Sequence, residues 1–125
     1  MARILVIDDD QGVRTLLSEV FSNTEHKHEV SIACDGIQGV MSAKGNPPDV
    51  IIVDVDMPKL NGYDVCLRLR ADPVTARIPI LMLTGTTNFP GAMKGLASGA
   101  DDHITKPFNV EEVVARVNAL LMRGQ

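Results

Sequence analysis

The chain has 125 residues, which is enough for one domain with a sizeable hydrophobic core. Hydrophobic residues make up 45% and charged residues 22%, an ordinary globular composition. The net charge of −4 argues against a basic nucleic-acid surface, and no apolar run is long enough for a signal peptide or a membrane span. We therefore expect one cytoplasmic domain over residues 1–125 that binds neither nucleic acid nor membrane directly. Cys34 and Cys66 match no zinc or redox spacing and are predicted to be reduced thiols in or near the core.

Apolar runs and amphipathic stretches alternate through the first half of the chain. Ile4–Ile7 is a β-branched run that predicts a strand buried on both faces. The helix predicted next has Asp10 as its N-cap and apolar residues at helical spacing, namely Val13, Leu16, Leu17, Val20 and Phe21. A second strand near a sheet edge and a short second helix follow, indicated by Val30, Ile32 and Cys34 and by Ile37, Val40 and Met41.

The same alternation continues to the end. Val50–Val53 predicts a third strand, a helix follows Asn61-Gly62, and Ile78–Thr84 predicts a fourth strand. A weak helix is predicted from about Phe89 to Ser98, and a short fifth strand covers His103–Thr105. The last helix, capped by Asn109 with Glu112 three residues on, carries a core-facing stripe of Val110, Val113, Val114, Val117, Leu120 and Leu121.

Five alternations of strand and helix predict an α/β fold of three layers, α/β/α, around a parallel sheet. In such a sheet, ligands bind beyond the carboxyl ends of the strands. The polar residues predicted at those ends are Asp8, Asp9, Asp54, Asp56, Thr84 and Lys106. Carboxylates about 4 Å apart repel by roughly 1 kcal/mol in water and more near a protein, so the cluster needs a cation such as Mg²⁺.

Two chemistries use carboxylates at the end of a buried strand in this way. One is the phosphate-accepting aspartate of a signalling domain. The other is the DxD nucleophile of a metal-dependent phosphatase, which Asp54-Val55-Asp56 would supply.

Four motifs together resemble the receiver domains of two-component response regulators, including the chemotaxis receivers. They are ILVIDDD with Asp8-Asp9, IIVDVDMPKLNG with Asp54, ILMLTG with Thr84 and GADDHITKPF with Lys106. The resemblance covers essentially the whole chain. It implies a flavodoxin-like (βα)5 fold with a five-stranded parallel sheet in the order 2-1-3-4-5.

The resemblance also assigns roles to the strand-end residues. Asp54 would accept a phosphoryl group from the phosphohistidine of a sensor histidine kinase or a histidine phosphotransfer protein. A Mg²⁺ or Mn²⁺ ion would be bound by the carboxylates of Asp9 and Asp54 and the backbone carbonyl of Asp56, with Asp8 acting through water. Such a domain is not an enzyme beyond catalysing its own phosphorylation and dephosphorylation.

Further roles are implied for the residues that read the phosphoryl group. Thr84 and Lys106 would contact it, and the family typically has a cis peptide bond before the proline that follows this lysine. The surface of the fourth helix, fifth strand and last helix would then bind a downstream protein or a fused effector domain, or support a phosphorylation-dependent dimer. His103 stands where the family usually has Tyr or Phe, so we expect weaker or pH-sensitive coupling to that surface. The acidic side chain of Asp56 is expected to alter autodephosphorylation.

Two alternatives compete with this interpretation. A haloacid-dehalogenase-type phosphatase has a DxD motif that continues with Thr or Val on the first strand, whereas Asp56 is followed by Met57 and lies after the third. That class also leaves Asp8 and Asp9 without a role. A pseudo-receiver, a binding module that never accepts phosphate, is the second alternative, although no residue of the receiver site is missing.

Overall fold

The structure, a computed structural model, describes residues 1–23, 25–85 and 97–123. These residues form five strands: β1 (Arg3–Ile7), β2 (Glu29–Ala33), β3 (Val50–Asp54), β4 (Ile80–Thr84) and β5 (Asp102–Thr105). Between the first four strands lie α1 (Gln11–Ser22), α2 (Gly36–Gly45) and α3 (Gly62–Ala71), and the C-terminal helix (Val110–Arg123) follows β5. The helix predicted at about Phe89–Ser98 falls largely outside the described residues.

All strand pairs in the sheet are parallel, and the strand order is β2-β1-β3-β4-β5. The predicted order is therefore confirmed. The register pairs Ile7 with Val53 and Asp54 with Leu83, so the carboxyl ends of β1, β3 and β4 lie at one edge of the sheet. The residues that follow those ends are consequently brought into one region.

Each face of the sheet is covered by a separate hydrophobic cluster. Leu5 and Ile7 point to the face that α2 and α3 cover, and Ile4 and Val6 point to the opposite face, because side chains alternate along a strand. The second cluster includes Leu17 and Phe21 of α1 with residues of the C-terminal helix, namely Val113, Val117 and Leu120. The predicted three-layer architecture is confirmed.

Two details of the sequence prediction are wrong. β4 begins at Ile80 rather than Ile78, because the Ile78 N–H donates to Thr75 O in the preceding turn and Pro79 has no N–H to donate. Cys34 is exposed rather than near the core, because it follows the last residue of β2 at the edge of the sheet, whereas Cys66 is buried as predicted. Burial raises the pKa of the Cys66 thiol to about 12.

Several apolar residues whose spacing indicated β2 and α2 in the sequence are exposed to solvent in the structure. Ile32 of β2 and Ile37 and Met41 of α2 are 56%, 51% and 68% exposed. Within the described part of the chain, no helix is both long and apolar enough to cross a membrane.

Candidate functional site

Three carboxylates meet at the carboxyl ends of β1 and β3. Asp8 follows β1 and is 0% exposed, Asp54 ends β3 and is 2% exposed, and Asp9 lies at the surface. Each offers an oxygen within 4.8 Å of the others, and among the described residues these three form the only such acidic group. The structure therefore brings together three of the four predicted metal-site residues.

Backbone contacts hold Asp8 in place. Its N–H donates to Ala33 O at 3.1 Å, and its Oδ1 accepts the Asp10 N–H at 2.9 Å. Asp10 in turn caps α1, as predicted, by accepting the N–H groups of Gly12 and Val13. The strand end and the helix start are thus joined in a short turn that leaves Asp8 pointing inward and Asp9 outward.

The loop after Asp54 folds back onto the strand end. The N–H groups of Met57 and Gly62 both donate to Val55 O, at 3.0 and 3.1 Å. A Cβ atom on Gly62 would lie 2.6 Å from the carbonyl oxygen of Asp54, so a side chain at this position would force the loop away. The Asn61-Gly62 pair that signalled a helix start in the sequence is therefore also what allows α3 to approach Asp54.

Lys106 brings a cation to the two buried carboxylates. Its Nζ lies 2.9 Å from Asp54 Oδ1 and 3.5 Å from Asp8 Oδ2. The Lys106 N–H donates to Thr84 O at 2.7 Å, which ties the residue after β5 to the end of β4, where Thr84 is buried. The Lys106–Pro107 peptide bond is cis, as the resemblance implied.

The charges of this site are only partly balanced. Burial raises the pKa of the Asp8 carboxyl; the Asp10 N–H lowers it and the nearby Asp54 charge raises it, and the result lies above the ordinary value. Burial lowers the pKa of the Lys106 ammonium, but contacts with Asp54 and Asp8 raise it by more, so it lies above its usual value. Lys106 is therefore charged at neutral pH, and it faces more negative charge than it can offset.

Two buried oxygens at this site lack a well-aligned hydrogen bond. Asp8 Oδ2 and Asp54 Oδ1 have no hydrogen-bond partner among the described residues, although both lie within ion-pair distance of Lys106 Nζ. The contact of Lys106 Nζ with Asp54 Oδ1, at 2.9 Å, is shorter than its contact with Asp8 Oδ2, at 3.5 Å, so Asp8 Oδ2 is the less satisfied atom. Carboxylate oxygens without a hydrogen-bond partner, next to the exposed carboxylate of Asp9, are suitable ligands for a divalent cation such as Mg²⁺.

Asp56 and His103 lie outside the three-carboxylate group. Asp56 is exposed, and its Oδ2 lies 3.3 Å from where a Cβ on Gly85 would be, at the end of β4. His103 is half-buried in β5 opposite Met82, and its N–H donates to Asp102 Oδ1 at 2.8 Å. The roles predicted for the Asp56 carbonyl and for His103 stay predictions.

Arg14 is a site neighbour that the sequence analysis did not identify. Its Nη1 donates to the backbone oxygen of Asp8 at 2.8 Å, so α1 stabilises the end of β1 through a side chain as well as through its cap. No motif marks this arginine, because its contact depends on how α1 lies against the strand.

Comparisons with known proteins agree with this geometry. Residues 4–118 match the family model described as response regulator receiver domain. The chain belongs to this family. RpaA of Synechocystis, named as a DNA-binding dual master transcriptional regulator, is 48% identical over 124 residues, which cover 98% of this chain and 50% of RpaA. The transcriptional regulatory protein TcrA of Mycobacterium tuberculosis is 40% identical over 122 residues, covering 98% of this chain and 47% of TcrA.

Solved receiver structures have the same fold. The receiver domain of the Francisella response regulator 1452 superimposes with a TM-score of 0.91 at 31% identity and full coverage of both chains. The chemotaxis protein CheY4 of Vibrio cholerae gives a TM-score of 0.89 at 32% identity, covering 96% of this chain and 98% of CheY4.

The function predicted from the motifs is confirmed at the level of the family. The chain is a receiver domain of the kind found in response regulators of two-component systems, and the comparisons support neither the dehalogenase-type phosphatase nor the pseudo-receiver. The receiver spans about half the length of the curated relatives that it matches, RpaA and TcrA among them.

Proposed function

We propose that Asp54 is the residue that accepts the phosphoryl group. The observation that carries this proposal is a carboxylate, 2% exposed, at the end of the central strand, whose Oδ1 lies 2.9 Å from Lys106 Nζ. A carboxylate that ends a strand beside a fixed ammonium is a nucleophile with a cation at the place where phosphoryl oxygens arrive. Asp9 lies at the surface, so a second carboxylate lines the path from solvent to Asp54.

The reaction forms one bond and breaks one. A carboxylate oxygen of Asp54 attacks phosphorus, the P–N bond of the donor phosphohistidine breaks, and the imidazole leaves with its electron pair, giving an aspartyl phosphate. Lys106 is already within contact distance of Asp54 and offsets the negative charge carried by the transferred group. The buried Thr84, at the end of β4, is proposed to donate its hydroxyl to a phosphoryl oxygen.

Mg²⁺ or Mn²⁺ would be held by Asp9 and Asp54, with the backbone carbonyl of Asp56 and, through water, Asp8. When bound, the ion would neutralise carboxylate and phosphoryl oxygens together. The chain supplies the ligand atoms: Asp8, Asp9 and Asp54 each offer a carboxylate oxygen within 4.8 Å of the others, and Asp8 Oδ2 and Asp54 Oδ1 are buried without a hydrogen-bond partner among the described residues.

The partners follow from this chemistry. The donor is proposed to be the phosphohistidine of a sensor kinase or phosphotransfer protein, and residues 1–125 are proposed to act as one cytoplasmic receiver rather than as a general enzyme. The relatives RpaA and MtrA are named as DNA-binding regulators, which supports a fused effector as the downstream partner. Direct nucleic-acid binding by the receiver itself is not proposed, because its net charge is −4.

His103 and Asp56 are proposed to tune this switch. His103 occupies a half-buried position on β5, three residues before Lys106, where a ring is expected to follow the movement of Thr84. An imidazole can change charge near neutral pH, and Tyr or Phe cannot. The response of the surface around β5 and the C-terminal helix is therefore proposed to depend on pH, and His103→Tyr should remove most of that dependence.

Intact mass spectrometry after incubation with phosphoramidate and Mg²⁺ tests the central proposal. We expect the wild-type protein to gain one phosphate and the Asp54→Asn variant to gain none. Asp56→Asn is the matched control, because it neutralises a carboxylate two residues away and outside the three-carboxylate group; it should still gain one phosphate. Equal modification of wild type and Asp54→Asn would refute the assignment.

The same samples test the dehalogenase-type alternative. A receiver should not turn over p-nitrophenyl phosphate, whereas a DxD phosphatase would, and would need both Asp54 and Asp56. Turnover that either Asp54→Asn or Asp56→Asn abolishes would restore that alternative.

A further inference from the structure

At the amino-terminal edge of the sheet, two side chains from distant parts of the chain accept the backbone N–H groups of Ala2 and Arg3. His28 Nδ1 accepts the Ala2 N–H at 3.0 Å, and Asp49 Oδ2 accepts the Arg3 N–H at 2.7 Å. The Glu29 N–H donates to Ala2 O at 2.9 Å, so β2 completes the hold on Ala2. This edge is the opposite end of the sheet from the phosphorylation site.

The imidazole of His28 is held in position by two other rings. The His26 ring stacks on it at 6.4 Å with an interplanar angle of 11°, and the buried Phe21 ring lies 6.2 Å away. Lys27, between the two histidines, has a φ of 56°, which is unusual for a residue with a side chain. The position of His28 is therefore built by the turn between α1 and β2.

The contact at Ala2 specifies the protonation state of the ring. A ring nitrogen can accept a hydrogen bond only while it carries no proton, and both nitrogens of an imidazolium are donors. We propose that His28 is a proton-sensitive latch: the neutral ring accepts the Ala2 N–H just before β1, and protonation of the ring releases this N–H group. This inference is independent of the assignment of Asp54.

The groups that face His28 favour the neutral ring on balance. Burial lowers the pKa of His28, the terminal amine of Met1 and the His26 ring lower it further, and only Asp49 raises it. The flanking Arg3 and Glu29 form a loose, exposed pair at 3.9 Å and largely cancel each other. Because the folded-state pKa lies below the ordinary value of 6.5, the latch is closed above that pH and is lost as the pH falls through the folded pKa.

Opening the latch would change the shape of a cavity. Met1, Ala2, His28 and Asp49 line one wall of a cavity of about 640 Å³ at this edge, and Leu121 of the C-terminal helix lines another. Once the Ala2 N–H is released, Ala2 keeps the contact of its carbonyl oxygen with the Glu29 N–H but loses the one that ties it to His28. Proton binding at His28 is thereby coupled to the accessibility of the amino-terminal edge.

Solution NMR between pH 8 and pH 5 tests the latch on the chain of residues 1–125. In the wild type, we expect the ring nitrogens of His28 to report an unprotonated Nδ1 at high pH and the Ala2 amide shift to follow the same midpoint as the ring. Protection of the Ala2 amide should fall about tenfold for each pH unit below that midpoint, as the neutral fraction does. An Ala2 amide that does not respond when His28 ionises would overturn the proposal.

Two variants separate the latch from general effects of acid. His28→Asn places an amide oxygen near the position of Nδ1, so it should keep the Ala2 contact and remove the pH dependence. His28→Leu should leave the Ala2 amide unprotected at every pH. In His26→Gln the His28 midpoint should move upward, because a neighbouring positive charge is lost. Identical pH profiles in wild type and His28→Asn would show that another group controls this edge.

Phosphoramidate labelling of the same variants excludes global unfolding. The rate of modification should be the same in wild type, His28→Asn and His28→Leu at pH 7, because the latch lies at the far end of the sheet. Loss of labelling in parallel with loss of Ala2 protection would mean that the whole fold opens, which would contradict a local latch.

Discussion

The amino ends of β4 and β5 and the carboxyl ends of β1 and β3 both hold charged side chains, but they satisfy them differently. At the amino ends, Arg70 Nε donates to Gly99 O at 2.9 Å, and its Nη1 donates to the carbonyls of Ala76 and Ile78. Its Nη2 pairs with Asp101 Oδ2 at 2.8 Å, and that oxygen also accepts the Ile80 N–H at 2.8 Å. The guanidinium thus uses its fixed fork of donors on several groups at once.

At the carboxyl ends, one ammonium serves two buried carboxylates and a third lies beside them. Lys106 is a point charge on a flexible stem, and it leaves Asp8 Oδ2 and Asp54 Oδ1 without an aligned hydrogen bond. The comparison shows that the fold can surround a partly buried charge, that of Arg70, with hydrogen-bond partners that stabilise it. At the carboxyl ends the negative charge is left partly unbalanced, which opposes folding; a bound cation of the kind proposed above would offset it.

The largest expected effect is at the amino ends of β4 and β5, where Arg70 makes several hydrogen bonds. Arg70→Leu should lower the free energy of unfolding by about 3 kcal/mol, because it removes the ion-pair partner of Asp101 and the side-chain donor to three carbonyls. Urea denaturation measures it. Arg68→Leu, two residues earlier on the exposed side of α3, is the matched control and should change stability by less than about 0.5 kcal/mol. Equal losses in the two variants would mean that the network contributes nothing specific.

The next effect is the stabilisation that added Mg²⁺ should give at the carboxyl ends of β1 and β3. Mg²⁺ at a hundred times its dissociation constant should stabilise the wild type by about 2.7 kcal/mol, because only the folded chain gathers the three carboxylates. Thermal unfolding with and without Mg²⁺ measures it. Asp9→Ala should lose most of this gain and Asp56→Asn should keep it. An unchanged gain in Asp9→Ala would remove Asp9 from the ligand set.

A smaller effect should have opposite signs at the two ends. Without metal at pH 7, Asp8→Asn should stabilise the fold by about 1 kcal/mol, whereas Asp101→Asn should destabilise it. Burial raises the pKa of Asp8, so the charged form opposes folding. The stability that protonated Asp8 provides is lost as the pH rises from the ordinary value of 3.8 through the folded-state pKa, so the gain from Asp8→Asn should grow over that interval.

Urea curves from pH 4 to pH 8 measure this contrast. Asparagine keeps the oxygen that accepts the Asp10 N–H, so the Asp8→Asn variant isolates the charge. Destabilisation by Asp8→Asn at pH 7 in the absence of metal would show that Lys106 does balance the site, and that the two ends do not differ as described.

The smallest effect concerns the exposed Arg116–Asp102 ion pair at the start of β5. Arg116 Nη1 contacts both carboxylate oxygens of Asp102 at 2.8 Å, but the arginine side chain is 44% exposed. Arg116→Gln should cost about 0.5 kcal/mol at low salt and nothing measurable at 1 M salt, because solvent screens an exposed pair. Urea denaturation at both salt concentrations checks it, with Arg70→Leu, whose cost should persist at high salt, as the reference.

Local pattern predicted much of this molecule. Runs such as Val50–Val53 and the helical spacing of α1 and the C-terminal helix follow from the repeat distances of strands and helices, and Asp10 acts as the cap that its side chain favours. Asp8, Asp9 and Asp54 were predicted to meet because parallel strands end at one edge. The strand order came from the family resemblance rather than from the pattern itself.

Contacts between distant residues required the tertiary structure. The 2.9 Å approach of Lys106 to Asp54, the exposure of Cys34 at the sheet edge and the carbonyls gathered by Arg70 depend on how layers lie against each other. His28 accepts the N–H of Ala2, a residue 26 positions away, and no periodic pattern in the sequence predicts this contact. Repeat distances act within an element and can be read along the chain, whereas side-chain partners across the sheet are selected by packing, which exists only once the chain has folded.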